Sequence, residues 1–228
     1  NFEAMEVTVR ARGDFNGSNA TAALAAVQLM GAKVSPTRLS EFPGVRRRQA
    51  VLHATAELTV IEDYAHHPAE IRALLGSLRR RVAKDGRLVV VFQPHRYTRT
   101  RQLLSSFGTV LRGADEVILA EIYAAGEDPI PGVTSDALAD AIRAAGHQKV
   151  DVVRSLAEIP ARIAERARPG DMVVLLGAGS IGAQRHLHGE EPGDPENADH
   201  QPVVGQGAGV VLQADEAGAA DAPLPEEA

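Results

Sequence analysis

The sequence predicts an α/β protein built on a doubly wound, mostly parallel β-sheet. Between residues 58 and 176, five short apolar stretches typical of strands alternate with four stretches whose apolar residues have helical spacing. The run at 87–92 (RLVVVF) lacks the polar alternation of a half-exposed strand, which indicates burial on both faces. Strands of this kind separated by helices favour a parallel sheet that helices cover on both sides.

Composition and charge exclude several classes of function. The 228 residues contain no Cys, so disulfides, thiolate metal sites and a cysteine nucleophile are ruled out. No apolar run approaches a membrane span and no signal peptide opens the sequence, so we expect a cytoplasmic protein that does not bind membranes. The formal charge of −6 misleads, because residues 189–228 carry ten acidic and no basic side chains. The rest, with 24 basic and 20 acidic residues and few aromatics, suits small anionic substrates and not nucleic acid.

The first 43 residues predict a strand at 4–12 followed by two helices. A turn cluster at 13–19 suggests Ser18 as the N-cap of an Ala-rich helix at 20–30. A second, short helix begins at Ser35 and Pro36, where proline suits the first turn. The segment 42–48 (FPGVRRR) is typical of a linker, so we place a domain boundary there.

The strands and helices of the main part follow in alternation. Predicted strands lie at 58–61, 87–92, 116–122, 150–153 and 171–176. Predicted helices begin at Pro68, after residue 100, at Ser135 and at Leu156. From residue 187 onward the chain is rich in Gly, Pro, Ala and acidic residues, which predicts a disordered acidic tail or a linker.

The segment 92–100 (FQPHRYTRT) is the strongest candidate site. It lies at the carboxyl end of a predicted strand, where ligands bind in open α/β sheets, and Pro94 ends the strand. His95, Arg96 and Arg99 would then share one crevice, which favours an anion site. The alternative is a solvated basic loop that starts a helix.

Other strand ends carry weaker signals. At 62–68 (EDYAHHP), Asp63 and His66 could face the arginine segment. The alternative for His66 and His67 is a helix N-terminal pair with one packed and one exposed. The pair does not favour a zinc site, because adjacent histidines point apart and no third His or Cys has ligand spacing. The segment 177–182 (GAGSIG) fits the dinucleotide pattern, but a tight turn that packs its backbone against the site explains it better. The chain has no G-x-x-x-x-G-K-[ST] phosphate loop, and 121–127 alone is a loop.

These stretches together resemble the Mur ligases over roughly residues 5–185. The matching segments are 62–68, 92–100, 121–131 and 177–182, with weaker matches at 13–20 and 42–48. Within the family the resemblance is strongest to the C-terminal half of the ligase that joins L-alanine to UDP-N-acetylmuramate. The related ligase that recycles murein tripeptide has a different segment at 92–100 and ranks second.

The resemblance implies an ATP-dependent, amide-forming enzyme of peptidoglycan precursor synthesis that works through an acyl phosphate. Residues 1–43 would be the end of the central ATP-binding domain, 44–186 the Rossmann-like C-terminal domain that presents the amino acid, and 187–228 the tail. Magnesium would bridge the ATP phosphates, with its usual ligands outside this sequence and no metal ligand within it. The N-terminal and central domains of the same protein would be needed as partners, so we expect this chain alone to be inactive.

The resemblance also assigns roles to individual residues. The L-alanine carboxylate and its small pocket would be formed by Tyr64, His66, His95, Arg96 and Arg99. Asp63 would face the ammonium or adenosine side, Arg48 and Arg47 would reach the ATP phosphates, and Asn19 would lie near the adenine. The residues closest to catalysis would be Arg48, Asp63 and His66. The alternative from another class is a non-catalytic module of a fused polypeptide that binds an anion or an amino acid.

Overall fold

A computed structural model describes residues 6–11, 13–33, 35–42, 44–183 and 208–211 of the chain. The chain divides into two compact units, Asn1–Pro43 with Val204–Ala228, and Gly44–Val203. None of the helices in the described ranges is long and apolar enough to cross a membrane.

The first unit contains two strands and two helices. Strand β1 (Glu6–Val9) pairs antiparallel with β8 (Ala208–Val211), so that Val7 lies opposite Val210. Helix α1 (Asp14–Leu29) buries Ala20 and Leu24, and helix α2 (Pro36–Glu41) begins after Ser35 as predicted. Most of the segment 187–228, predicted to be a disordered tail, lies outside the described residues, and β8 is the part of it that the structure describes.

The prediction of Ser18 as a helix N-cap is wrong. Helix α1 already begins at Asp14, so Ser18 lies inside it. The acidic side chain of Asp14 in the first turn is a helix start signal, since a carboxylate is stabilised at a helix N-terminus. The turn-forming residues that follow are therefore helical despite their low propensity.

The second unit is built on a six-stranded sheet. Its strands are β2 (Ala50–Ala54), β3 (Leu58–Asp63), β4 (Leu88–Phe92), β5 (Glu116–Leu119), β6 (Val150–Val152) and β7 (Asp171–Leu176). Their order is β2-β3-β7-β4-β5-β6, and every pair is parallel except β2 with β3. The predicted mostly parallel sheet is confirmed, whereas the sequence reading missed β2, an edge strand with a register shift between Val51 and His53.

Helices cover both faces of this sheet, as the doubly wound prediction requires. Three of them, α3 (Pro68–Arg79), α4 (Tyr97–Leu111) and α5 (Ser135–Ala144), pack on one face through Ile71, Phe107 and Leu138. Helix α6 (Ile159–Arg166), which follows a short 3-10 helix (Leu156–Glu158), packs on the other face. Neighbouring strand residues therefore enter opposite cores: Val90 lies with the first group and Val91 with the second.

A buried ionic cluster joins the strands at their amino ends. Arg87, just before β4, pairs with Asp171 of β7 at 2.6 Å and with Glu116 of β5 at 2.8 Å. The Arg87 side chain is only 12% exposed and both carboxylates are buried. Arg166 of α6 also reaches Glu116, at 2.9 Å. The starts of the three central strands are thus held together by charge-assisted hydrogen bonds.

Candidate functional site

The candidate site lies at the carboxyl ends of the central strands. Strands β3 and β4 are not neighbours, because β7 lies between them. The segments that follow them nevertheless meet, with the rings of His66 and His95 5.8 Å apart between centroids. The predicted meeting of the two strand ends is confirmed, and it lies at the edge of the sheet where ligands bind in doubly wound folds.

The turn after β7 is built of glycines, which allows the two segments to meet above it. A Cβ at Gly179 would lie 2.7 Å from Oε1 of Gln93 and 2.8 Å from the Tyr123 ring. Gly177 has φ of 149°, and its Cβ would lie 2.9 Å from the backbone oxygen of Gln93. Gln93 also accepts a hydrogen bond from the Ile181 N–H at 2.9 Å. The interpretation of 177–182 as a turn packed against the site is confirmed.

Gly177→Ala is expected to destabilise the unit by about 2 kcal/mol, because the backbone strain and the contact with Gln93 cannot both be relieved. The matched control is Gly76→Ala in α3, where a Cβ meets nothing within 4 Å. That control should raise stability by about 1 kcal/mol through helix propensity. Urea denaturation measures both, and equal effects of the two substitutions would contradict the tight packing of the turn.

Arg47, in the linker before β2, is bound to the protein itself. Its Nε contacts the buried carboxylate of Glu62 at 2.5 Å, and its Nη2 donates to the carbonyls of Gly177 at 2.8 Å and Gly179 at 3.2 Å. The guanidinium also lies 5.0 Å from the ring centroid of Tyr64. Arg47 therefore fixes the glycine turn against β3, and the sequence reading missed Glu62 as its partner.

Arg48 is directed differently from its neighbour. Its side chain is 45% exposed and its Nη1 lies 3.9 Å from Oδ1 of Asp63. It is flanked by two residues in the left-handed conformation, Arg47 at φ 59° and Gln49 at φ 49°. Backbone strain of this kind persists where the surroundings enforce it, and here the Tyr64 N–H donates to the Arg47 carbonyl at 2.7 Å. The linker thus presents Arg48 with its charge accessible.

Asp63 is a buried carboxylate that organises the same corner. Its Oδ2 accepts from the Gln49 N–H at 2.9 Å and its Oδ1 from the Ala65 N–H at 2.8 Å. Burial raises the pKa of Asp63, while these hydrogen bonds and the charge of Arg48 oppose that rise. Asp63 therefore joins the end of β3 to the linker that carries Arg48.

The two adjacent histidines have separate roles. His67 is exposed and caps α3, accepting from the Ala69 N–H at 3.3 Å, while Glu70 completes the capping box. His66 is partly buried, and its Nδ1 lies 2.9 Å from the Tyr64 carbonyl. That contact assigns the proton to Nδ1 and leaves Nε2 as an acceptor. The alternative reading of a helix N-terminal pair, one packed and one exposed, is thus confirmed, and His66 still lies in the crevice.

The arginine segment begins α4 at the edge of the crevice. Nη1 of Arg99 lies 3.2 Å from Nδ1 of His95 and 3.3 Å from its carbonyl oxygen. Arg96 lies 3.9 Å from the carboxylate of Glu127. Within the described part of the chain, Arg99 makes no salt bridge with an acidic side chain. It is a permanent positive charge beside an imidazole, which favours an anionic ligand there.

His95 is expected to titrate below the ordinary histidine pKa of about 6.5. Burial lowers the pKa of His95, and the charges of Arg99 and His66 lower it further. As the pH falls below 6.5, the His95 imidazole takes up a proton in the unfolded chain before it does so in the folded chain. The free energy of unfolding is therefore expected to fall in that range. NMR titration of the imidazole tests this, and Arg99→Met should raise the pKa partway. An unchanged pKa in that variant would show that the guanidinium is not beside His95.

Sequence reasoning missed three residues that shape the site. Glu62 pairs with Arg47, Tyr123 stacks on His95 with ring centroids 5.5 Å apart, and Glu127 accepts hydrogen bonds from Thr98. Each partner lies far away in sequence, so local patterns give no signal for the pairing. Of the remaining predicted residues, Asn19 is exposed on α1 and belongs to the other unit.

Among the residues that the structure describes, no group of three His, Asp or Glu side chains could hold a metal ion.

The sequence of this chain matches a known protein family. The profile described as "Mur ligase, glutamate ligase domain" matches residues 46–179. The UDP-N-acetylmuramate–L-alanine ligase of Anaeromyxobacter sp. strain Fw109-5 is 50% identical over 178 residues, which are 77% of this chain and 38% of that protein. The chain thus spans little more than a third of the length of this relative.

Solved structures agree with this assignment. A crystal structure of UDP-N-acetylmuramate-alanine ligase from Thermotoga maritima superposes with a TM-score of 0.60 at 27% identity, covering 79% of this chain and 43% of that one. A murein peptide ligase from Psychrobacter arcticus superposes with the same TM-score at 25% identity, covering 80% and 37% of the two chains.

Proposed function

We propose that this chain, which belongs to the Mur ligase family, is the amino-acid-presenting portion of an ATP-dependent ligase that joins L-alanine to UDP-N-acetylmuramate. Curated relatives that carry the name of this ligase are up to 50% identical to the chain. Their names support L-alanine as the amine substrate. The reaction would take place in the cytoplasm as a step of peptidoglycan precursor synthesis.

The observation that carries the proposal is the environment of Arg99. Its guanidinium contacts His95 and, within the described residues, forms no ion pair with a carboxylate. A substrate carboxylate would complete this site with charge-assisted hydrogen bonds. The rings of His66 and Tyr123 both lie against that of His95, and Tyr64 lies against His66, so aromatic rings would limit the space beside Arg99 to a small amino acid.

His66 would take up the proton that the substrate ammonium must lose before it can attack. Its Nδ1 is directed to the Tyr64 carbonyl, and Oε2 of Glu70 lies 3.6 Å from the same nitrogen. A proton gained at Nε2 would therefore give an imidazolium that a nearby carboxylate stabilises. Holding the carboxylate at Arg99 and the amine at His66 would orient the nucleophile for attack.

The arginines of the linker before β2 would bind the phosphates of ATP, but they supply only part of the groups that ATP needs. ATP would supply the phosphoryl group that activates the muramoyl carboxylate. Arg48, exposed at the end of the linker, would offset negative charge there, while Arg47 would support it through Glu62 and the glycine turn. Magnesium ligands and a phosphate loop would come from a partner domain outside these residues, and Asn19 would contact the adenine.

The experiment joins this chain to the part of the Anaeromyxobacter ligase that it does not match. Phosphate release from ATP is measured with UDP-N-acetylmuramate and L-alanine, for this chain alone and for the fusion protein. The proposal requires release by the fusion protein and none by this chain alone. A folded fusion protein without activity would favour a module that binds an anion or an amino acid, and activity of this chain alone would show that ATP binds elsewhere.

A further inference from the structure

After β5 the chain runs through a loop to α5, and the first part of this loop, residues 121–127, is held at both of its ends. It leaves the sheet at Glu121, whose carboxylate accepts a hydrogen bond from Arg154 at 2.6 Å. At its other end, the carboxylate of Glu127 accepts hydrogen bonds from Thr98 in the first turn of α4. Between these points the loop carries Tyr123 against His95. The loop is therefore a strap whose two attachments fix a residue of the crevice.

Tyr123 contacts the arginine segment through its backbone and its ring. Its N–H donates to the Pro94 carbonyl and its carbonyl accepts from the Arg96 N–H, both at 2.8 Å. Its ring is nearly parallel to that of His95, with an interplanar angle of 26°. On another side the ring approaches the Gly179 backbone so closely that a Cβ there would lie 2.8 Å from it. The position of the His95 ring thus depends on the strap.

Glu127 supplies the N-terminal cap that α4 lacks locally. The N-cap residue Arg96 has φ of 74° and makes no side-chain cap hydrogen bond. Oε2 of Glu127 accepts from the Thr98 N–H at 2.9 Å, and Oε1 accepts from the Thr98 hydroxyl at 2.6 Å. A carboxylate at this place satisfies a free N–H of the first turn and interacts favourably with the helix dipole.

The backbone of the strap is shaped to deliver this carboxylate. Ala125 has φ of 50° and Gly126 has φ of 84°, so two consecutive residues are left-handed. The Glu127 N–H closes the turn by donating to the Ala124 carbonyl at 3.1 Å. A non-glycine residue in this conformation costs free energy unless its surroundings hold it, and the contacts of Glu127 with α4 do so.

We propose that Glu127 is a positioning residue of the amino-acid pocket, acting through the first turn of α4 and through Tyr123 on His95 and Arg99. The inference rests on the function proposed above. Glu127 also lies near Arg96 and not near Arg99, so it partly offsets one arginine and leaves the charge of the other for the substrate. Substrate carboxylate and Glu127 would then each have their own cation.

Two substitutions separate the hydrogen bonds from the charge. Glu127→Ala removes both hydrogen bonds with Thr98, whereas Glu127→Gln can accept from the N–H and donate to the hydroxyl. Glu165→Ala is the control, because that exposed glutamate of α6 makes an i,i+3 pair with Arg162. The first readout is amide hydrogen exchange at Thr98 in this chain. The second is KM for L-alanine in the fusion protein with the phosphate-loop part.

Glu127→Ala is expected to speed exchange at Thr98 about fivefold. It should raise KM for L-alanine about tenfold while leaving KM for ATP and kcat nearly unchanged. Glu127→Gln, which keeps the hydrogen bonds but loses the charge, should give values between those of Glu127→Ala and the unsubstituted protein, whereas Glu165→Ala should stay close to the unsubstituted protein in both readouts. Unchanged exchange in Glu127→Ala would overturn the capping contact, and faster exchange without a change in KM would overturn the positioning role. A fusion protein inactive with L-alanine would instead contradict the proposed function, and the exchange rates would still decide the capping contact.

Discussion

Replacing Arg99 with alanine in the complete ligase is expected to raise KM for L-alanine about 100-fold, because charge-assisted hydrogen bonds to a carboxylate are lost. KM for ATP should change less than about twofold, since Arg99 lies at the His95 side of the crevice and Arg48 at the linker side. Steady-state kinetics with each substrate varied in turn measures both constants.

Arg99→Lys is the informative partner of this variant. A lysine keeps the charge but loses the planar pair of donors, so an intermediate KM is expected. Arg101→Ala, which removes an exposed arginine from the same helix, serves as the control and should leave KM unchanged. Equal increases in KM for L-alanine and for ATP in Arg99→Ala would contradict the role of Arg99 in binding the carboxylate.

Replacing Arg87 with methionine is expected to lower the free energy of unfolding by about 3 kcal/mol, because the variant leaves the buried carboxylate of Asp171 without its cation. Asp171 would keep only hydrogen bonds from backbone N–H groups, while Glu116 would retain Arg166. Urea denaturation followed by circular dichroism measures the loss. Adding Asp171→Asn should recover part of it, because the double variant removes an unpaired buried charge.

Arg154→Met is the control for the ionic cluster. Arg154 contacts Glu121 at 2.6 Å and Asp136 at 2.8 Å, distances as short as those of Arg87, but its side chain is 60% exposed. Water and salt screen exposed pairs, so its replacement should change stability very little. A loss as large as that of Arg87→Met would show that burial does not govern the strength of these pairs.

The sheet illustrates which features sequence patterns determine. Continuous apolar runs such as β4 and β7 are recognisable because burial on both faces removes polar residues from them. Their spatial order is a different matter: β7 is the last strand of the sheet in sequence but lies between β3 and β4. The short edge strand β2 was missed because its side chains are only partly buried, so its pattern is weak.

In the candidate site, too, some features could be predicted from sequence patterns and others could not. The clustering of His95, Arg99 and His66 was predictable, because polar residues followed strands whose carboxyl ends share one edge. The different roles of Arg47 and Arg48 were not, since they depend on left-handed backbone angles and on Glu62. Glu127 likewise caps a helix 29 residues earlier in the chain, a pairing without a local signature.

The most direct test of the central claim is to identify the amino acid that the complete enzyme joins to UDP-N-acetylmuramate. The fusion protein with the phosphate-loop part would be incubated with ATP, UDP-N-acetylmuramate and an equimolar mixture of amino acids, and the product would be identified by mass spectrometry. We predict UDP-N-acetylmuramoyl-L-alanine as the main product, with its formation strongly reduced in Arg99→Ala. A product containing a different amino acid, or one that forms equally well without Arg99, would contradict the assignment of this pocket to L-alanine.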